Sequence, residues 1–351
     1  MGCPPHGATP AEKALSGGPL PGRAPTGPKE VDREMEGPES PDPVPQAPDS
    51  SPAMVRPSVP EADALIGKKL PVLEHGYVVL VDYMGNDAAI VQAARVSYGA
   101  GTRSVRDDRG LIRYLMRHRH TTPFEMVEFK FLVRLPIYVA RQWIRHRTAN
   151  VNETSARYSI VPDEFDLPSP EAVRAQSTRN RQGRGDALPP ETVEAFRKDV
   201  ERISRDAYGS YEKALKAGVA REIARIVLPV NFYTEWYWKT DLHNILHFLS
   251  LRLDDHAQEE IRRYAATLAQ VVRTVAPVAY EAFEDFVLES VTLSRRERTA
   301  VRSLLEGNPV EAACREAGLP LIRPDGTPMK SGEGVEFLEK LQRLRSAARS
   351  A

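Results

Sequence analysis

The residues best suited to chemistry lie between positions 141 and 158, where a basic motif leads into a polar stretch. Arg145-His146-Arg147 is followed after seven residues by Ser155, and Arg157 comes two positions later. Arginine carries a planar fork of donors that suits a phosphate or a planar heterocycle, and a serine hydroxyl can add a further bond to phosphate. A functional anion site and a structural network of salt bridges both fit this composition.

A second candidate is the pair His243 and His247, which share one face of a helix because they lie four residues apart. Two histidines at that spacing can bind zinc, and His256 with Asp254-Asp255 could complete a ligand set. The metalloprotease motif requires Glu after its first histidine, where this chain has Asn244. A hydrogen-bonding helix face explains the same pair. The sequence contains no Walker or Rossmann glycine loop and no GxSxG motif.

Around these motifs the sequence predicts strands and helices that are interspersed. Alternating or β-branched apolar residues predict strands over 78–84, 129–135 and 232–238. Helical periodicity and capping residues predict helices near 87–96, 108–115, 137–144, 193–211, 221–228, 242–249 and 258–275. Prolines and a glycine-containing run predict a mobile loop over 166–190. This pattern indicates an α+β fold in which helices surround a small, mainly antiparallel sheet.

Composition divides the chain into three parts. Fifteen of the 29 prolines lie in residues 1–60, and no aromatic residue precedes Tyr77. Such a segment buries too little apolar surface to offset its ordering entropy, so we predict a disordered extension over 1–65. A domain over 66–290 that contains the candidate residues follows, and residues 291–351 form a charged C-terminal extension whose role the sequence does not indicate.

Charge and cysteine content exclude several classes of protein. Lysine plus arginine and aspartate plus glutamate each total 48, so the chain is not a strongly basic nucleic-acid binder. No run of 18 apolar residues occurs, so we expect no membrane span and no membrane partner. The two cysteines, Cys3 and Cys314, lie at opposite ends, which excludes a disulfide framework and favours a cytoplasmic location.

The middle of the chain resembles the flavin-dependent thymidylate synthases. Arg145-His146-Arg147 and Ser155 match the RHRx7S signature of that family. Four further blocks, at 120–125, 141–143, 221–229 and 241–252, look like family blocks in the family's order, and the resemblance covers about residues 70–290. Five ordered blocks are far more specific than a single motif of four fixed positions.

The resemblance implies an activity and its partners. Members of the family methylate dUMP to dTMP, with 5,10-methylenetetrahydrofolate as carbon donor and with FAD, reduced by NADPH, as hydride source. They are homotetramers of an antiparallel α+β fold, and each site is built from several subunits. The family uses no active-site cysteine, which agrees with the positions of Cys3 and Cys314. Neither a metal ion nor a nucleic acid takes part.

The resemblance also implies residue roles. Arg252 matches the arginine at the uracil edge, where a guanidinium would stabilise negative charge during catalysis. The implied dUMP-binding residues are Gln142, Arg145, Glu153, Ser155, Arg157, Arg225 and Arg252, with Ser155, Arg157 and Arg225 at the phosphate. The implied FAD-binding residues are Ser97, Thr122, Glu125, Arg145, His146, Arg147, Glu153, Asp241, His243 and His247. Because the sequence shows no base beside Ser155, we interpret this serine as a phosphate ligand rather than a nucleophile.

Two alternative functions use the same residues. One is a metal-dependent hydrolase built on His243, His247 and His256. The other is an RNA-binding module built on the Arg/His clusters at 117–120 and 145–147. Zero net charge and the lack of an aromatic stacking platform beside these clusters argue against RNA binding.

Overall fold

The computed structural model describes residues 56–96, 108–177 and 183–347. These residues form seven strands: β1 (Lys69–Val72), β2 (Gly76–Met84), β3 (Glu128–Pro136), β4 (Asn150–Glu153), β5 (Arg174–Gln176), β6 (Arg184–Ala187) and β7 (Tyr233–Asp241). They also form twelve α-helices: α1 (Pro60–Asp63), α2 (Asp87–Val96), α3 (Asp108–Arg117), α4 (Ile137–Trp143), α5 (Pro190–Lys216), α6 (Arg221–Ala224), α7 (Leu242–Arg252), α8 (Glu259–Val275), α9 (Pro277–Phe283), α10 (Arg295–Leu305), α11 (Val310–Glu316) and α12 (Glu333–Ala347).

The main sheet has five strands in the order β1-β2-β3-β7-β4, and every neighbouring pair is antiparallel. Its centre is the nine-residue pairing of β3 with β7, in which Phe131 lies opposite Trp238 and Val133 opposite Trp236. Alternate residues of β3 are buried because the strand turns every second side chain towards the helices. The predicted α+β fold with a small antiparallel sheet is confirmed.

The core under the sheet is rich in aromatic side chains. Trp143, the last residue of α4, lies at its centre and contacts Phe248 and Trp238 with ring centroids 4.7 and 5.1 Å apart. Trp143, Phe248 and Trp238 are fully buried, and they bring α4 and α7 against the same face of the sheet. This packing fixes the ends of α4 and α7 relative to one another.

Residues 56–65 belong to the folded domain, which corrects the boundary predicted at residue 65. Ala62 in α1 is fully buried in the main core. The Tyr83 hydroxyl donates to Asp63 Oδ1 at 2.6 Å and accepts from the Val59 amide at 2.7 Å. The short apolar run Ala64-Leu65-Ile66 was obscured by the average composition of the segment. Residues 1–55 of the predicted extension lie outside the described residues.

The segment 166–190 differs from the predicted mobile loop. A 3₁₀ turn, Pro170–Ala172, is followed by the antiparallel pair β5 and β6, in which Gln176 lies opposite Arg184. The Arg197 Nε donates to the Pro168 carbonyl at 2.9 Å and so ties the segment to α5. Prolines mark its ends, but pairing and side-chain bonds order the described residues between them.

The C-terminal extension forms helices α10–α12 around a small core of its own, made of Ala300, Ala313, Cys314, Leu319 and Phe337. Ser294 and Glu297 form a reciprocal capping box at the start of α10. Within the described residues, no helix is both long and apolar enough to cross a membrane.

Candidate nucleotide and flavin site

The signature motif emerges where α4 ends. Pro136 precedes the first helical residue with a φ of −62°, and the helix stops at Trp143, whose indole is anchored in the core. Arg145 and Arg147 are exposed in the turn that follows, whereas His146 is half-buried. A rigid buried helix therefore presents the motif at a defined point of the surface.

Arg252, the last residue of α7, contacts this motif. Its Nε donates to His146 Nε2 at 3.0 Å, and its Nη2 donates to the Gln142 carbonyl oxygen at 3.3 Å. Partial burial lowers the pKa of Arg252, although a guanidinium remains charged at physiological pH. Among the described residues, two of its five N–H groups are engaged, so three can bind a ligand. We call Gln142, His146 and Arg252 the Arg252 cluster.

His146 is neutral in this setting. Burial, the Arg252 charge and the neighbouring His247 together lower the pKa of His146 to about 4. Its ring packs edge-on against Phe248, with centroids 4.8 Å apart. Because Nε2 accepts from Arg252, the neutral ring carries its proton on Nδ1. His146 thus orients the predicted catalytic arginine.

Ser155 and Arg225 line a separate cavity of about 500 Å³, which we call the serine cavity. Ser155 opens a turn, because its hydroxyl accepts from the Arg157 amide at 3.2 Å and its carbonyl accepts from the Tyr158 amide at 3.0 Å. Arg157 pairs with Glu222 at 3.2 Å. The Ser155 hydroxyl keeps its own proton free to donate to an anion.

The edge strand β4 carries the polar residues that precede Ser155. It pairs with β7, and this short strand was missing from the sequence prediction because three of its four residues are polar and all four are exposed. Glu153 lines the serine cavity and accepts from the Thr234 hydroxyl at 2.5 Å. The predicted dUMP residues Glu153, Ser155 and Arg225 are therefore brought together.

Another cavity, of about 490 Å³, combines cationic and imidazole groups with apolar side chains. We call it the basic cavity. Its polar lining residues include Arg117, Arg119, His120, His243 and His247, and its apolar lining residues include Phe124, Leu246, Phe283 and Phe286. None of its described lining residues is acidic. A ligand that joins a planar apolar ring to anionic phosphates, as FAD does, fits this combination.

The remaining predicted FAD residues have different surroundings. Thr122 and Glu125 are exposed on the 3₁₀ helix Thr122–Met126, which is anchored by buried Phe124. Asp241 caps α7, and its two carboxylate oxygens accept from the backbone and side-chain amides of Asn244 at 2.9 and 2.7 Å. Ser97 lies outside the described residues.

The predicted residues thus fall into separate groups on one chain. Among the described residues, no hydrogen bond or ion pair joins the Arg252 cluster to Ser155 or Arg225. Sequence reasoning missed two further contributors. Gln258 accepts a hydrogen bond from the Gln142 side chain, and Phe286 lines the basic cavity. Neither carried a motif that could have identified it.

The histidines proposed for a metal site are used differently. His243 and His247 face the basic cavity, whereas the His256 ring nitrogen lies 2.8 Å from Asp254 Oδ1. No group of three or more His, Cys, Asp or Glu side chains within the described ranges could hold a metal ion. The geometry therefore gives no support to the hydrolase alternative.

The two cavities offer the cationic, hydroxyl and apolar groups that suit an anionic nucleotide and a planar cofactor. Residues 79–278 match the family model described as thymidylate synthase complementing protein. Flavin-dependent thymidylate synthases from Wolbachia pipientis and Ruegeria pomeroyi are 54% and 57% identical over 258 and 244 residues. These alignments cover 74% and 68% of this chain and 91% and 81% of the relatives. The chain belongs to the flavin-dependent thymidylate synthase family.

Solved structures agree with this assignment. The UMP/dUMP methylase PolB from Streptomyces cacaoi, bound with 5-Br dUMP, is 36% identical and superposes with a TM-score of 0.56. The match covers 62% of this chain and 99% of PolB. The resemblance predicted from the sequence is confirmed, and the RNA-binding alternative receives no support from any of these similarities.

Proposed function

We propose that this protein converts dUMP to dTMP by reductive methylation, with 5,10-methylenetetrahydrofolate as carbon donor, bound FAD as hydride carrier and NADPH as reductant. The observation that carries the proposal is the Arg252 cluster. It joins the end of α7 to the RHR signature across more than a hundred positions of sequence and leaves guanidinium donors free beside a neutral histidine.

Arg252 is the catalytic residue of this proposal. Its bonds to His146 and Gln142 hold the guanidinium plane, so the free N–H groups can bind the edge of a pyrimidine. Donors that are fixed in advance stabilise the negative charge that develops on N3 and O2 without reorganisation during the reaction. The uracil ring is thereby activated at C5 without a cysteine adduct.

The nucleotide phosphate binds at the serine cavity. Ser155 donates its hydroxyl, Arg157 and Arg225 supply charge, and Glu153 lies on the same wall. Arg157 would exchange its exposed partner Glu222 for the phosphate, and exposed ion pairs of that kind cost little to break. Gln142 and Arg145 contribute from the end of α4.

The basic cavity holds FAD. His243 and His247 line this cavity. His146 contacts His247 and so joins the turn Arg145-His146-Arg147 to the cavity. Thr122 and Glu125 follow directly after His120 and Thr121, which also line it. When bound, the flavin supplies the hydride. The protein's part is to exclude water with the apolar side chains and to neutralise phosphate with the surrounding cations.

We further propose a homotetramer whose sites are shared between subunits, in the cytoplasm. Two observations support sharing. The Arg252 cluster and the serine cavity are not bonded to one another among the described residues. Large apolar side chains beside the phosphate ligands are also exposed, with Tyr158 at 75% and Ile226 at 73%. A second copy would cover them and complete the nucleotide site.

The test is NADPH oxidation by the purified protein with and without dUMP and 5,10-methylenetetrahydrofolate, with product analysis. We expect a flavin absorbance spectrum and formation of dTMP that depends on both substrates. A colourless protein, or NADPH oxidation without any dTMP, would refute the proposal.

A further inference from the structure

We propose that Arg184, Glu260 and Gln258 form a positioning relay that sets the orientation of the Gln142 side chain for the nucleotide. This inference rests on the proposed function, because it takes Gln142 as a nucleotide ligand. None of the three relay residues belongs to the signature blocks, and Arg184 lies on the ribbon formed by β5 and β6, outside α4, α7 and the turns that carry the site.

The relay is a continuous chain of hydrogen bonds. Arg184 pairs with Glu260 through Nη2 and with Glu259 through Nη1, the latter at 2.8 Å. The second Glu260 oxygen, Oε2, accepts from Gln258 Nε2 at 2.7 Å. Gln258 Oε1 then accepts from Gln142 Nε2. The ribbon is thus connected to the residue whose backbone carbonyl holds Arg252.

The negative charge of Glu260 needs a compensating cation because the side chain is buried. Glu260 is only 5% exposed, and a buried carboxylate is stable as an anion only when a cation and donors compensate it. Arg184 is the cation in ion-pair contact with it among the described residues. The neighbouring buried carboxylate, Asp166, adds negative charge and is held instead by the hydroxyls of Tyr138 and Tyr233 at 2.6 and 3.3 Å. Arg184 therefore supplies the positive charge that compensates the Glu260 carboxylate.

The two contacts of the Glu260 carboxylate give the relay a direction. A carboxylate can only accept, so Gln258 must turn its amide nitrogen towards Glu260 and its oxygen towards Gln142. Gln142 must then donate its own amide nitrogen to Gln258, which leaves Gln142 Oε1 as the atom that faces a ligand. The relay thus presents an acceptor, suited to a donor group of the bound nucleotide such as a ribose hydroxyl.

The test is a double-mutant cycle on the FAD-loaded enzyme, with dUMP affinity measured by calorimetry. We expect Arg184→Met to weaken dUMP binding about tenfold and to have no further effect in a Gln142→Ala background, because coupled residues are not additive. Arg184→Lys, which keeps the charge, should recover part of the affinity. The matched control is Arg263→Met, since Arg263 pairs at 2.6 Å with Glu259 and not with Glu260.

Two results separate this inference from the proposed function. If Gln142→Ala leaves dUMP affinity unchanged, the assignment of Gln142 to the nucleotide site fails, and the relay fails with it. If Gln142→Ala weakens binding but Arg184→Met has an equal effect in both backgrounds, or none, only the relay is overturned. Should Arg184→Met not fold, Glu260→Gln takes its place in the cycle, because it keeps the volume and removes both the charge and the fixed direction.

Discussion

Replacing Arg252 by lysine tests the centre of the proposed mechanism. Arginine here uses two donors to contact His146 and the Gln142 carbonyl and keeps its plane fixed. Lysine retains the charge but has a single nitrogen on a flexible stem, so it cannot make both contacts and also bind two pyrimidine atoms. Loss of one preorganised donor typically costs about a hundredfold in the chemical step, or about 2.7 kcal/mol of barrier.

The assay is single-turnover formation of dTMP by pre-reduced enzyme at saturating dUMP and folate. We expect Arg252→Lys to slow this step by about a hundredfold while FAD remains bound and NADPH still reduces it. Arg262→Lys is the matched control, because Arg262 makes an exposed ion pair with Asp255 at 3.1 Å on the next helix. Its rate should equal that of the wild type.

Near-normal turnover in Arg252→Lys would refute this reasoning, because it would show that only a positive charge is needed. A loss of flavin in the same variant would instead show that Arg252 holds the cofactor cavity together. The absorbance of the purified variant distinguishes these outcomes before any kinetics are measured.

Three further predictions follow from the described contacts. Burial and the Arg252 charge lower the pKa of His146 to about 4, so an NMR titration of His146 should have its midpoint near pH 4. The stability that neutral His146 contributes to the folded state should be lost as the pH falls from about 6.5 through 4. A midpoint near 6.5 would contradict the contact with Arg252. Ser155→Ala should weaken dUMP binding by about 1.5–3 kcal/mol yet leave measurable turnover, whereas complete loss at saturating substrate would indicate a nucleophile. Deletion of residues 1–54 should leave the melting temperature unchanged. Deletion of residues 1–65 should lower the free energy of unfolding by about 1–3 kcal/mol, because it removes the buried Ala62. Equal melting temperatures of the two truncated proteins would contradict that packing.

Local pattern was sufficient to predict the three long strands of the main sheet, β2, β3 and β7, but not the short strands β1 and β4. The alternation in β3 and β7 survives in the structure because those strands pack one face on helices and pair along their full length. The same logic missed β4, whose residues are all exposed and which is held extended by its pairing with β7. It also gave a mobile loop over 166–190, where Arg184 and Arg197 supply tertiary bonds that no local signal carries.

The residues of the candidate site could be predicted from the sequence, but the contacts between them could not. Family resemblance named Gln142, His146 and Arg252, yet nothing in their spacing indicates that a histidine with a lowered pKa fixes the arginine. That contact exists because Trp143 and Phe248 pack together and bring the ends of α4 and α7 close to one another. Substitutions of Trp143 or Phe248 should therefore affect catalysis through Arg252 as well as stability, although neither residue lines the serine cavity or the basic cavity.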